Sequence, residues 1–233
     1  MHPMGFDWLV GLHIPANLLP HGLIWIGNLL FLTLLVAAIR RADWKSYAHN
    51  DEQQHVFFGA MVMLLTIWGI KAGISPGLGF HHLGATLFTL MFGWSRALIG
   101  LAVVLATSLL LQTPDWPSFG VNGLISIAIP VMISYAILKL SQKLLPDNFF
   151  IYVFICAFFG AATAAAASRL STIALLSLIG AYTDDKLVEE SLQILPLFMF
   201  PEAFVTGMLI SIFVVYKPDW VTTFDDERYI RGK

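Results

Sequence analysis

Seven apolar runs, separated by short clusters of charge, glycine or proline, constrain this chain more than any other feature. They cover about residues 22–39, 56–74, 81–93, 97–111, 122–140, 149–168 and 195–216, with ends set by hydropathy. A helix of roughly 20 apolar residues crosses a ~30 Å hydrocarbon core. Two of the runs, 81–93 and 97–111, are shorter and are joined by Trp94-Ser95-Arg96. An eighth apolar stretch, 170–182, is too short to cross and is expected to be interfacial or re-entrant. The chain has 233 residues, 58% hydrophobic and 12% charged. A soluble domain carries about a quarter charged residues. A membrane β-barrel would instead show short alternating segments. The predicted fold is therefore all-α: a polytopic membrane bundle of about seven transmembrane helices.

Lys and Arg set the expected orientation. With the N-terminus outside, seven crossings put Arg40, Arg41, Lys45, Arg96, Lys139, Lys143, Lys217, Arg228, Arg231 and Lys233 in the cytoplasm. Lys71, Arg169 and Lys186 fall outside. That asymmetry is the positive-inside pattern. The expected organisation is an extracytoplasmic segment at 1–20, a bundle at 21–220 and a cytoplasmic tail at 221–233. The first segment is amphipathic, and Pro15 and Pro20 break any long helix in it. The start Met1-His2-Pro3-Met4 lacks the positive region of a signal peptide.

The formal net charge is -2 and no basic stripe exists, so no nucleic-acid partner is expected. Cys156 is the one cysteine, so neither a disulfide frame nor a cysteine metal cluster can form. There is no Gly-x-x-x-x-Gly-Lys-Ser/Thr loop, and no His-Glu-x-x-His or Ser/His/Asp set. Neither ATP use nor hydrolysis is expected of the chain itself. No organic cofactor is predicted.

What remains is a set of polar groups in apolar surroundings. His81-His82 follows the bend Ser75-Pro76-Gly77-Leu78-Gly79-Phe80. Titratable groups at membrane depth are costly without a partner or a task. Irregular backbone there persists where it is buried in protein or lines a cavity. Neutral imidazole is also the commonest transition-metal ligand. Adjacent residues on a helix point about 100° apart, so one histidine can bind while the other hydrogen-bonds or faces the interface. Met1-His2 offers a chelate through its amine, the His2 amide and the His2 ring, a planar set suited to Ni(II) or Cu(II). Glu202, beside Pro201, needs a partner; Arg169, Lys71 and a nearby histidine are the candidates. Asn28, Gln112 and Asn122 are expected to hydrogen-bond between helices. Gly160, Thr163, Ala164, Ala167 and Ser168 form a small-residue face suited to close helix packing.

Four stretches in order resemble the CbiM/NikM family, the membrane substrate-binding components of energy-coupling-factor cobalt and nickel transporters. They are His13-Ile14-Pro15, then Gly79-Phe80-His81-His82-Leu83-Gly84-Ala85 with Phe92-Gly93-Trp94. Leu111-Gln112 with Phe119-Gly120-Val121-Asn122 follows, and then Pro201-Glu202-Ala203-Phe204-Val205-Thr206. The resemblance runs over about residues 13–220. It implies a metal held by the N-terminal amine, the second residue's amide and ring, and a histidine that falls here at His81. His2 with Met1, or His13, would then supply the N-terminal ligand, with His82 as a further ligand candidate. Asn122, Glu202 and Gln112 would support the site. A multi-histidine variant would suit Ni, Co or Zn.

By resemblance, the cargo is a divalent transition metal, the membrane is a bacterial inner membrane, and the partners are a coupling transmembrane subunit and ATPase subunits. Two other readings stay open on the residues alone. One is an accessory or assembly subunit of a larger membrane complex. The other is a membrane enzyme or haem-linked protein using histidines as axial ligands.

Overall fold

The computed structural model describes residues 13–69, 75–111 and 115–231. Met1, His2, Lys71 and Gln112 lie outside the described residues. Six long helices carry the chain: α1 (His21–Arg41), α2 (Asp51–Trp68), α3 (Ala85–Leu111), α4 (Trp116–Leu144), α5 (Phe149–Leu178) and α6 (Asp184–Tyr216). All but α2 meet the length and hydropathy needed to cross a membrane. Trp25, Leu29, Val62, Leu178 and Tyr216 are among the large apolar side chains left on the outside, as lipid rather than water requires.

The helix α3 is two legs. Gly93 adopts φ 76 and ψ 160, a region essentially restricted to glycine. A Cβ built on Gly100 would lie 3.4 Å from the Phe88 ring. In an unbroken helix those residues stand about 18 Å apart along the axis. The chain therefore doubles back at Gly93, and the apolar runs 81–93 and 97–111 are separate legs, giving the seven segments expected. The turn strands carbonyls at the end of the first leg. The tail meets them: Thr222 N–H donates to Met91 O at 2.9 Å and Thr223 Oγ1 donates to Leu90 O at 2.7 Å. Val221, Phe224 and Tyr229 are buried in the same cluster. The segment expected as a tail is thus packed on the bundle.

Two sequence-based boundaries move. The run 149–168 is expected to end near Arg169, with 170–182 interfacial or re-entrant. Instead α5 continues unbroken to Leu178, and Leu176 is fully buried. Hydropathy is interrupted at Arg169, but no helix breaker occurs before Gly180, whose φ is 64. The fifth segment also starts earlier, at Trp116. It widens to i→i+5 turns at Leu124–Ala128, just ahead of Pro130, which lacks the N–H for regular bonding. The small face of α5 turns Gly160, Ala164 and Ser168 inward, while Thr163 is exposed, so its main use here is packing.

The basic clusters gather at one end of the bundle. There Arg41 lies over the Trp94 ring, Arg96 over Tyr47, Lys217 pairs with Glu52 and Arg228 with Asp147. The opposite half holds residues 13–20, the bend 75–84 and the start of α4.

Candidate metal centre

Three devices hold the segment beginning at His13 inside the mouth of the bundle. Asn122 clamps Ile14 on both sides of its residue: Ile14 N–H donates to Asn122 Oδ1 at 2.8 Å, and Asn122 Nδ2 donates to Ile14 O at 2.9 Å. Asp115 Oδ2 accepts from Ala16 N–H at 2.6 Å. Ile14 and Leu19 pack with Leu78 and Val121 in a small apolar cluster. His13 is thereby buried, its Nε2 3.4 Å from Ser108 Oγ. Asn28 ties α1 to α4, donating to Pro117 O and accepting from Gly120 N–H. Interhelical bonding is thus its role. The partner of Asn122 is instead the backbone of the entering segment.

The bend 75–84 delivers the two histidines to different places. It is not helical at His81 and His82. His81 lies against Trp68, ring centres 4.6 Å apart, and against His13 at 6.0 Å. Both ring nitrogens of His81 are shielded and make no hydrogen bond among the described residues. An unsatisfied buried polar group costs about 1–3 kcal/mol. His82 turns the other way. Its Nδ1 is 2.8 Å from Glu202 Oε2.

Glu202 does more than pair with His82. Its Oε2 accepts from Leu83 N–H and its Oε1 from Gly84 N–H, both at 2.8 Å. These amides precede the first turn of α3, so a carboxylate from α6 caps that helix where its dipole is positive. Gly84 has φ 67, and a Cβ there would sit 2.8 Å from Leu64 Cδ1. The conformation that aims its amide at Glu202 is therefore closed to other residues. Of the three expected partners for Glu202, the histidine is the one found. Arg169 makes no ion pair among the described residues. It donates from Nη2 to Gly79 O at 2.6 Å, with Cζ 3.8 Å above the Phe80 ring.

A polar cavity of about 50 Å³ lies beside His81, walled by Asn122, Ser168, Arg169, Thr172 and Glu202. Of the sequence-predicted residues, the fold brings His13, His81 and Asn122 together, places Glu202 in the wall of the same cavity and pairs His82 with it. Among the described residues, no three His, Cys, Asp or Glu side chains converge closely enough to hold an ion. Met1, His2 and Gln112 fall outside the described residues. Sequence reasoning did not single out Trp68, Ser108 or Asp115. Trp68 ends an apolar helix, a position that reads as an interfacial tryptophan, and the other two sit near segment ends like ordinary polar boundary residues.

The family model of the cobalt uptake substrate-specific transmembrane region, CbiM, matches residues 13–220. No curated protein sequence matches significantly. Two solved structures share the fold. One, described as a truncated transition metal transporter, superposes with a TM-score of 0.71 at 20% identity, covering 88% of this chain and 99% of that one. Another, described as a transition metal transporter, gives 0.68 at 22% identity, covering 86% and 91%. The matched residues take in the His13 segment, the His81 bend, Asn122 and Glu202, and the chain belongs to the CbiM family of cobalt uptake substrate-specific transmembrane regions.

Proposed function

We propose that this protein is the substrate-binding membrane component of an energy-coupling-factor transporter, capturing a divalent transition metal of the nickel or cobalt type. One observation carries the reading: an imidazole, His81, with two shielded and unpartnered nitrogens at a polar cavity inside an apolar bundle. His81 is the primary ligand and His13 the second. Met1 and His2 are candidates for the remaining donors. His82 and Glu202 fix the bend rather than bind, and Asn122 fixes the backbone beside His13, in the way outer-shell groups orient metal ligands. The basic end carrying Arg41, Arg96, Lys217 and Arg228 faces the cytoplasm of a bacterial inner membrane. The metal site then opens outward. Energy comes from a separate coupling subunit and ATPase subunits, since the chain has no phosphate-binding loop.

The test is elemental analysis of purified protein after loading with nickel, cobalt and zinc in turn, followed by desalting. The reading predicts close to one ion per chain for nickel or cobalt. A ratio near zero for every metal would move the protein to a second reading, an accessory subunit that keeps the fold without transport. The shortage of a third ligand side chain among the described residues favours that alternative. It predicts a stable co-purifying membrane partner without ATPase subunits.

A further inference from the structure

The cavity beside His81 also holds a cation that makes no ion pair among the described residues. Arg169 uses Nη2 on Gly79 O and lays one face on Phe80, which stacks on Phe198 at 3.5 Å and 7°. That stack fixes the guanidinium plane and leaves donors of its five N–H groups for the cavity. The remaining carboxylate in the wall, Glu202, is engaged by His82, Leu83 and Gly84. Ser126, Ser168, Thr172 and Asn122 add polar wall. At about 50 Å³ the space suits a few waters or one anion the size of formate or bicarbonate.

Charge and ligand count agree. A divalent ion on neutral imidazoles would leave two positive charges beside the fixed charge of Arg169. Among the described residues no third His, Cys, Asp or Glu side chain converges with them to complete the coordination, and the Glu202 carboxylate is already taken up by His82, Leu83 and Gly84. A guanidinium presents parallel N–H donors that match the two oxygens of a carboxylate.

We propose that the Arg169 cavity is a binding site for a small planar oxyanion of the carboxylate or bicarbonate class. Its occupant neutralises the metal bound at His81 and lends it an oxygen donor. The second statement rests on the metal-binding reading above; the first does not.

The experiment uses the full chain in detergent, in a buffer whose anion is the bulky HEPES sulfonate. Saturation-transfer NMR on the formate proton reads binding to metal-free protein. The expected signal is competed by bicarbonate and not by equal chloride. It disappears in Arg169→Met and survives, weakened, in Arg169→Lys, whose retained charge also controls for folding. Titration of nickel with and without formate should then show at least a tenfold gain in affinity, reciprocal with a tenfold gain for formate. In Arg169→Met the nickel affinity should not respond to formate. The absence of formate transfer to the wild type, or equal transfer to folded Arg169→Met, overturns the proposal. Arg169-dependent formate binding without any metal binding keeps the anion site and removes the metal reading. Metal binding indifferent to formate, with no formate transfer, does the reverse.

Discussion

Glu202, on the last long helix, accepts from His82 at 2.8 Å while capping the helix that begins at Ala85. One carboxylate thereby sets the path of the bend and sends its two histidines apart. His82 is spent on the scaffold, and His81 is left to face the cavity.

Replacing Glu202 with Ala should be among the most damaging single changes. It removes the partner of the half-buried His82 and of two buried backbone amides. Breaking a buried pair by removing one partner costs about 3–5 kcal/mol. Thermal unfolding in detergent should fall by several degrees. Glu202→Gln, which keeps acceptor capacity for one amide, should lose less. Unchanged melting in Glu202→Ala would remove the capping role.

Asn122→Ala should act through Ile14. The clamp on both sides of that residue is lost, leaving its N–H and C=O without that partner, a cost of about 1–3 kcal/mol. Metal affinity should weaken as His13 loses its fixed position, while Asn28→Ala, which loosens α1 against α4, should leave affinity closer to wild type. The comparison is made by titrating metal into both variants.

At Gly93 the space is open, so any penalty is conformational. Gly93→Ala forces φ 76 and ψ 160 on a residue with a Cβ, at about 1–3 kcal/mol. Thermal unfolding measures the loss. Thr223→Ala should add to it less than additively, because both changes act on the same turn and its carbonyls. A stable Gly93→Ala protein would mean that the two legs do not double back as described.

Binding should be lost on acidification. Metal ligation needs neutral imidazole, whose ordinary pKa is about 6.5. Below its own pKa in the protein each ligating imidazole lowers apparent affinity by about tenfold per pH unit. The bound form is thus favoured at high pH and released as the ligating imidazoles protonate. With two ligating imidazoles the limiting slope is about a hundredfold per unit. Titration from about pH 8 downward reads the slope, and an affinity that stays flat down to acid unfolding excludes histidine ligation.

Much of this was readable before any coordinates. Apolar runs marked every leg, because lipid tolerates little else on a spanning helix. The two short runs 81–93 and 97–111, joined at Trp94-Ser95-Arg96, already implied separate legs, and the structure places the break at Gly93. Glu202 and Asn122 stood out as polar groups in apolar stretches. The missed boundary at Arg169 has a physical cause. Hydropathy scores a charge by its cost in lipid, and here a carbonyl and an aromatic face receive the guanidinium inside the protein. The partner of Asn122 was invisible for another reason: it is a peptide group, and peptide groups are alike at every position. The split of His81 from His82 is expected from the spacing of about 100° on a helix, whereas the backbone at both residues is not helical.

The central claim is that His81 receives the metal. The most direct test is titration of nickel into purified wild type, His81→Ala and His82→Ala, followed by calorimetry and by quenching of Trp68, whose ring lies 4.6 Å from that of His81. The account predicts that His81→Ala loses at least a hundredfold in affinity and loses the quenching, while His82→Ala binds more weakly but still quenches. Equal nickel affinity in wild type and His81→Ala would contradict it.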